Sequence, residues 1–219
     1  SYGQTDSLSR AMAAYLQGLG LAKGDRVAIM MPNCPQYPVA VAAILRAGFV
    51  VVNVNPLYTP RELEHQLKDS GSKAIVIIEN FASVLQQVLG KVPVQHVIIT
   101  RIGDMLPAPK RWIVNLVIKR VKKMVPAWRI KGTIPFRVAL ARGAAAPFKP
   151  VDVAREDIAF LQYTGGTTGV AKGAMLTHRN ILANVEQTSA WVSASFKEGI
   201  EIAIAPLPMY HIFCLTATL

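Results

Sequence analysis

The sequence predicts an α/β fold in which a mainly parallel sheet is covered by helices on both faces. Short, nearly unbroken runs of Val and Ile recur along the chain, and segments with helical spacing separate them. Strands that are buried on both faces have continuous apolar runs, and parallel strands need a helix-length crossover between them. With 219 residues, 52% of them hydrophobic, the chain can also bury a substantial core.

The first hundred residues show the clearest alternation of strands and helices. Capping residues at 5–7, apolar residues at helical spacing and a stop at Gly20 predict the first helix. An alanine-rich stretch that ends at Gly48 predicts a second helix, and residues 81–89 predict a further short one. The apolar runs between these helices predict strands at 27–31, 49–54, 74–78 and 96–100.

The strongest helix signal follows the second of these strands. Thr59 can act as an N-cap, Pro60 suits the first helical turn, and Glu62 completes a capping box. Gly71 then supplies a stop. These four residues predict a helix that starts directly after Thr59 and ends before Gly71.

The alternation is interrupted between residues 101 and 150. Six prolines occur in this stretch, and twelve Lys or Arg residues accompany a single acid, Asp104. The stretch therefore accounts for the whole net charge of +11. A basic block of this kind indicates an anionic partner or a solvated face. We interpret 101–150 as an insertion or a long connection.

Part of that stretch has the pattern of an amphipathic helix. Such helices lie on anionic membranes, so a membrane surface contacted through 111–131 is one hypothesis. The alternative is an ordinary surface helix whose Lys and Arg stems shield the core. A nucleic acid is not expected, because no recognised binding motif accompanies the charge. The apolar side consists of Ile113, Val117, Val121 and Met124, with Trp112 and Trp128 near the ends, and the opposite side of Arg111, Asn115, Lys119 and Lys122.

After residue 150 the alternation resumes. Strands are expected at 158–163, 174–176 and 202–205, and a helix from about His178. The chain is thus expected to consist of a β/α subdomain at 1–100, the basic insertion at 101–150, and the start of a second β/α layer at 151–219.

A glycine-rich loop between the first two of these later strands is a candidate phosphate-binding site. Glycines let backbone N–H groups approach a ligand closely, threonine hydroxyls add donors, and a lysine adds a positive charge. The spacing is neither that of a Walker A loop nor that of a GxGxxG turn, and a flexible hairpin tip is the structural alternative. The candidate residues are Tyr163, Thr164, Gly165, Gly166, Thr167, Thr168, Gly169, Val170, Ala171, Lys172, Gly173 and Ala174.

The string 161–172 resembles, at each position, the phosphate-loop signature of the adenylate-forming enzymes, which include acyl-CoA ligases, peptide-synthetase adenylation domains and luciferases. Residues 174–180 and 206–213 resemble the next two landmarks of that family, and 27–56 resembles its opening β/α units. The likeness covers nearly the whole chain. Within the family it is greatest to the N-terminal part of the bacterial long-chain fatty acyl-CoA ligases.

The resemblance implies a two-step reaction, in which ATP and a fatty acid form an acyl-adenylate and coenzyme A then displaces AMP. Lys172 and a magnesium ion would hold the phosphates, with Thr164, Thr167 and Thr168 as hydroxyl contacts. Thr168 is also a candidate for the metal, for which no other ligand is assigned. His211 would lie near the carboxylate and the acyl channel, or would simply be a core or turn residue.

The resemblance also implies that much of the catalytic machinery is encoded after Leu219, including a small C-terminal domain that is missing here. The 219 residues alone are therefore expected to be inactive. Two rival readings are a basic membrane or nucleic-acid binding domain with a structural glycine loop, and an aryl or medium-chain acid ligase. Two distant cysteines and the lack of a membrane-length apolar run indicate a cytoplasmic protein, with peripheral attachment to the inner membrane face as a further hypothesis.

Overall fold

A computed structural model describes residues 1–164, 171–193 and 204–218. Within these residues seven strands form one sheet in the order β5-β4-β3-β1-β2-β6-β7. All neighbouring strands are parallel except β7, which is antiparallel to β6. The strands are β1 Arg26–Met30, β2 Val50–Asn53, β3 Ala74–Ile78, β4 His96–Thr100, β5 Ile134–Pro135, β6 Ile158–Thr164 and β7 Lys172–Thr177.

Helices lie on both faces of this sheet. They are α1 Tyr2–Gln17, α2 Gln36–Arg46, α3 Pro60–Asp69, α4 Ala82–Val88, α5 Lys110–Leu116, α6 Phe136–Ala144, α7 His178–Val192 and α8 Ile212–Thr218. Short 3₁₀ turns at Glu79–Phe81 and Leu89–Lys91 flank α4, and a π-helical turn, Val117–Val121, continues α5. None of the helices in the described ranges is long and apolar enough to cross a membrane.

Two apolar cores, one on each face, hold the layers together. Val27 and Ile29 of β1 point into the core formed with α1, α2 and α6, whereas Ala28 and Met30 point into the core formed with α3 and α4. This alternation follows from the two-residue period of a strand. Because both faces are buried, the central strands are mostly apolar, and β3 is apolar throughout. The predicted α/β class, with a mainly parallel sheet, is confirmed.

The predicted helix boundaries hold for α3 but not for α1. Thr59 accepts a hydrogen bond from the backbone N–H of Glu62, and the Glu62 carboxylate accepts one from Thr59 N–H at 2.8 Å, so the predicted capping box is present. The first helix instead begins at Tyr2, where Ser1 is the N-cap. Asp6 lies inside that helix, and its carboxylate pairs with Arg46 of α2 at 2.5 Å.

The interruption predicted for 101–150 is wrong for residues 134–144. There β5 pairs in parallel with β4, and α6 packs against α1 so closely that a side chain on Gly143 would overlap the backbone of Ala11. The predicted amphipathic helix also ends at residue 121 and does not reach Trp128. Strand β5 has only two residues, so it lacks the repeating pattern of apolar residues by which a strand can be predicted from sequence. The division into 1–100, 101–150 and 151–219 stays a prediction.

Most of the elements predicted for the last part of the chain are present. The predicted strands at 158–163 and 174–176 correspond to β6 and β7, and α7 begins at His178 as expected. Thr177 caps α7 by accepting a hydrogen bond from Asn180 N–H. Of the strand predicted at 202–205, residues 202 and 203 lie outside the described residues, and residues 204 and 205 are not in a strand.

Candidate functional site

The glycine-rich loop connects two strands that pair as an antiparallel hairpin. Tyr163 lies opposite Gly173, and Thr164 lies opposite Lys172. Since β6 is parallel to β2, the loop leaves the sheet at the carboxyl ends of the parallel strands, the edge where open α/β sheets bind ligands. Six of the predicted contact residues lie outside the described residues: Gly165, Gly166, Thr167, Thr168, Gly169 and Val170.

The two stems of the loop differ in what they expose. Thr164 and Lys172 are exposed, as is Ala174, so the hydroxyl and the ammonium group face solvent from opposite strands. Tyr163 is buried, and its hydroxyl donates a hydrogen bond to Asp69 Oδ2 at 2.5 Å. Burial and the neighbouring carboxylate raise the pKa of this phenol. The structure therefore brings a hydroxyl and an ammonium group together at the loop mouth and directs the Tyr163 phenol toward α3.

Helix α3 braces the loop at both of its stems. Asp69 accepts the hydrogen bond from Tyr163 at the end of β6, and His65 Nε2 lies 3.1 Å from the carbonyl oxygen of Ala171, just before β7. His65 and Asp69 are four residues apart and so share one face of the helix. Sequence reasoning missed both, although their helical spacing could have indicated a common role.

Gly173 is required by packing rather than by backbone conformation. A methyl group at this position would lie 2.9 Å from Cε2 and 3.0 Å from Cζ of the Tyr163 ring. The ring covers the glycine across the hairpin, so a side chain there would displace Tyr163 from Asp69. This glycine thus keeps the brace between β6 and α3 in place.

A buried polar network crosses the carboxyl ends of the central strands beside the loop. Asn53 of β2 donates through Nδ2 to Gln162 Oε1 of β6 at 3.1 Å, and Gln162 Nε2 donates to the carbonyl oxygen of Tyr210 at 2.9 Å. The Tyr37 hydroxyl lies 2.6 Å from Asn53 Oδ1 and 2.9 Å from Met209 O, two acceptors for its single proton. The network holds the chain around Met209 and Tyr210 against the edge of the sheet.

Asn33, in the turn after β1, fixes the same stretch from the other side. Its Nδ2 donates to Ala205 O at 3.1 Å and to Leu207 O at 2.8 Å, and its Oδ1 accepts from Met209 N–H at 2.7 Å. One amide side chain thus replaces three missing backbone partners in a proline-rich strip. The position of Asn33 shortly after the end of an apolar strand is a signal in the sequence that could have identified it.

His211 follows this anchored strip and lies at the same edge of the sheet as the loop. Its imidazole is exposed, its backbone N–H donates to Pro208 O at 3.0 Å, and its carbonyl accepts from Leu215 N–H at the start of α8. The structure thus shows a turn residue at the helix start, not a core residue. Whether this imidazole contacts a substrate carboxylate stays a prediction.

Comparison with known proteins agrees with this arrangement. The AMP-binding enzyme family matches residues 1–219. The long-chain-fatty-acid–CoA ligase of Salmonella typhimurium is 58% identical over 99% of this chain, and that of Bacillus subtilis is 40% identical over 98%. The chain spans 39% and 38% of the lengths of these two relatives.

A solved structure supports the same relationship. The crystal structure of a long-chain-fatty-acid–CoA ligase from Archaeoglobus fulgidus superimposes with a TM-score of 0.77 at 25% identity. The superposition covers 99% of this chain and 37% of that one. The match of sequence and fold over the whole length means that the chain belongs to the AMP-binding enzyme family.

Proposed function

We propose that the whole protein activates long-chain fatty acids in two steps. ATP and the fatty acid carboxylate form an acyl-adenylate and pyrophosphate, and the thiol of coenzyme A then displaces AMP to give the thioester. The observation that carries this proposal is the Gly/Thr loop with Lys172, set on a hairpin at the carboxyl edge of the sheet in a chain 58% identical to long-chain ligases. An independent basic binding module with a structural glycine loop is not favoured by the family membership.

The loop supplies what the first step needs. The attacking carboxylate and the triphosphate are both anionic, so fixed donors and positive charge must hold them together while charge develops on pyrophosphate. The exposed Lys172 ammonium and Thr164 hydroxyl are available for the phosphates, and the hydroxyls of Thr167 and Thr168 would add to them. Helix α3 would hold the stems still while the loop wraps the phosphates.

A magnesium ion would reach this donor set together with the triphosphate. In the described ranges there is no cluster of three or more His, Cys, Asp or Glu residues that could hold a metal. Mg²⁺ is commonly bound by substrate phosphates, waters and one or two protein oxygens. We therefore propose Thr168 as a protein oxygen close to the ion, which would neutralise phosphate charge when bound.

The substrate carboxylate would lie at the same edge as the loop. We assign His211 to its neighbourhood, because the polar network of Asn53 and Gln162 holds the adjacent residue Tyr210 beside β6. The enzyme is proposed to be cytoplasmic and to work at the inner face of the membrane, where long-chain fatty acids are dissolved. The basic stretch 111–131 would make that peripheral contact.

Acyl-CoA formation by the full-length protein tests this function. Palmitate, octanoate and a hydroxycinnamate are supplied separately with ATP, magnesium and coenzyme A, and the thioester products are quantified. We expect palmitate to be strongly preferred, whereas preference for the aromatic or the medium-chain acid would contradict the proposal. Residues 1–219 alone should form no thioester, since they span only 39% of the related ligases.

A further inference from the structure

The stretch 110–124, which we call the basic helix segment, presents its polar side to the protein. Asn115 Oδ1 accepts a hydrogen bond from Gly103 N–H at 2.9 Å, and its Nδ2 donates to Asp104 Oδ1 at 3.2 Å. Asp104 is buried and also accepts from Arg101 N–H at 2.9 Å. The Asn115 amide therefore fixes the rotation of α5 about its own axis.

A second anchor lies one turn further along the same side. Lys119 Nζ is 3.8 Å from Oε2 of Glu79, a buried carboxylate at the end of β3, and Arg101 Nε is 3.4 Å from the same oxygen. Asn80 Nδ2 donates to the carbonyl oxygen of Met124 at 2.9 Å, which fixes the end of the segment. Since residues 115 and 119 share a helix face, both anchors turn that face toward the sheet.

Most of the apolar side of the segment consequently points to solvent, with Val117 half-buried. Trp112 is 63% exposed, Ile113 57% and Leu116 60%, and Val121 and Met124 are exposed as well. An ordinary surface helix buries such a stripe against the core. Here the hydrogen bonds of Asn115 hold the helix in the opposite orientation, and an exposed apolar stripe of this kind is typical of an interaction surface.

The rim of this stripe is basic. Lys110, Arg120, Lys122 and Lys123 are exposed around it, and the only acid between residues 101 and 149, Asp104, is turned inward. A nucleic acid would be bound through its phosphates and would not need aliphatic side chains turned outward. Aliphatic and indole side chains framed by Lys and Arg match an anionic bilayer. The apolar side chains can enter its interface, and the basic side chains are attracted to its negatively charged headgroups.

We propose that the basic helix segment docks the enzyme on anionic membranes with the apolar stripe inserted below the headgroups. Trp112, Ile113 and Leu116 enter the interface, while the lysines of the rim contact lipid phosphates. The segment follows β4, and β4 lies four strand positions, or about 19 Å, from β6, the strand that precedes the phosphate loop. The purpose of the docking, uptake of membrane-dissolved fatty acid, rests on the proposed function, whereas the binding can be tested without catalysis.

The test uses the full-length protein and vesicles of equal parts phosphatidylcholine and phosphatidylglycerol. The double variant Ile113→Ser, Leu116→Ser is expected to bind at least about tenfold more weakly in a sedimentation assay. Leu57→Ser serves as the matched control, because Leu57 is 78% exposed elsewhere on the surface. This variant should bind the vesicles like the wild type. Unchanged binding of the double variant would overturn the proposal.

Two further measurements separate docking from folding and from catalysis. Tryptophan fluorescence of the wild type should be quenched by lipids brominated in the upper acyl chain, and the quenching should be mostly lost in Trp112→Phe. Equal quenching in both proteins would contradict insertion of Trp112. ATP–pyrophosphate exchange with octanoate, which needs no membrane, should be unchanged in the double variant, so that a failure of the proposed chemistry is distinguished from a failure of docking.

Discussion

Helices α3 and α7 begin with the same capping geometry. In α3 the backbone N–H of Thr59 donates to the Glu62 carboxylate at 2.8 Å, and in α7 that of Thr177 donates to Asn180 Oδ1 at 3.0 Å. Both threonine side chains accept a bond from the N–H three residues on. The local start of the two helices is therefore equivalent, and their first residues are equally readable from sequence.

Their surroundings are not equivalent. Leu63 and Leu67 of α3 are fully buried, whereas no residue of α7 is buried in the part of the chain described, and Leu182 and Trp191 are 53% and 88% exposed. An apolar cavity of about 620 Å³ lies between α7 and α2, lined in part by Val41, Leu45, Ile181 and Val185. Helix α7 is therefore packed loosely on the described part of the sheet, whereas α3 is built into its core.

The largest expected difference between the two helices is in the free energy of unfolding that each loses when a leucine is truncated. Leu67→Ala should lower the free energy of unfolding of the 219-residue chain by about 2–5 kcal/mol, because it empties a closed core. Leu182→Ala should change it by less than about 0.5 kcal/mol, since the side chain is half exposed. Urea denaturation followed by circular dichroism measures both values. Similar losses would mean that α7 is packed after all.

A smaller effect should come from the caps. Thr59→Ala should destabilise the chain by about 1 kcal/mol, because the helix that it caps is part of the cooperative core. Thr177→Ala removes an equivalent bond but should leave the global midpoint unchanged and only speed amide hydrogen exchange in α7. A matching loss of global stability in Thr177→Ala would show that α7 unfolds together with the sheet.

The brace between α3 and the loop should affect nucleotide binding. Tyr163→Phe removes the hydrogen bond to Asp69, and we expect it to raise the Kd for magnesium-ATP in the full-length protein about fivefold. Tyr2→Phe, at a residue 86% exposed and remote from the loop, is the control. Isothermal titration measures the change. An unaltered Kd in Tyr163→Phe would mean that α3 does not position the loop.

The smallest effect should be on stability in acid, and it concerns two aspartates that pair with lysines, Asp25 and Asp157. Burial opposes ionisation of Asp25, but hydrogen bonds from Lys73 and from Ala22 N–H outweigh it and lower the pKa. Its folded pKa is thus below the unfolded value, so the stability it contributes is present above about pH 4 and is lost as the pH falls through the folded pKa. The Tm of the Asp25→Asn variant should therefore fall less steeply than that of the wild type when the pH is lowered through this range. Asp157→Asn should show a smaller difference from the wild type, because the carboxylate of Asp157 is more exposed.

What the sequence predicted well was local. The strands at 74–78 and 96–100 were predicted to the residue, and so was the capping box of α3. The loop was correctly placed between two strands. In each case the signal is a short apolar run or a cap, whose structural consequence depends on residues only a few positions away.

What the sequence did not reveal depends on distant partners. Gln162 meets Asn53 across 109 positions, and Asn33 meets Met209 across 176, so neither pair shows a spacing that could be read along the chain. The outward apolar face of α5 was equally hidden. Its amphipathic pattern was visible, but the direction in which it points is decided by Asn115 and Asp104.

Palmitate-dependent exchange of labelled pyrophosphate into ATP, measured in the full-length protein and in its Lys172→Ala variant, tests the central claim most directly. The account predicts exchange that requires palmitate and magnesium and that falls at least about tenfold in the variant, because the lysine holds the phosphates while the adenylate forms. Exchange that is equally fast without Lys172, or that no long-chain acid supports, would contradict it.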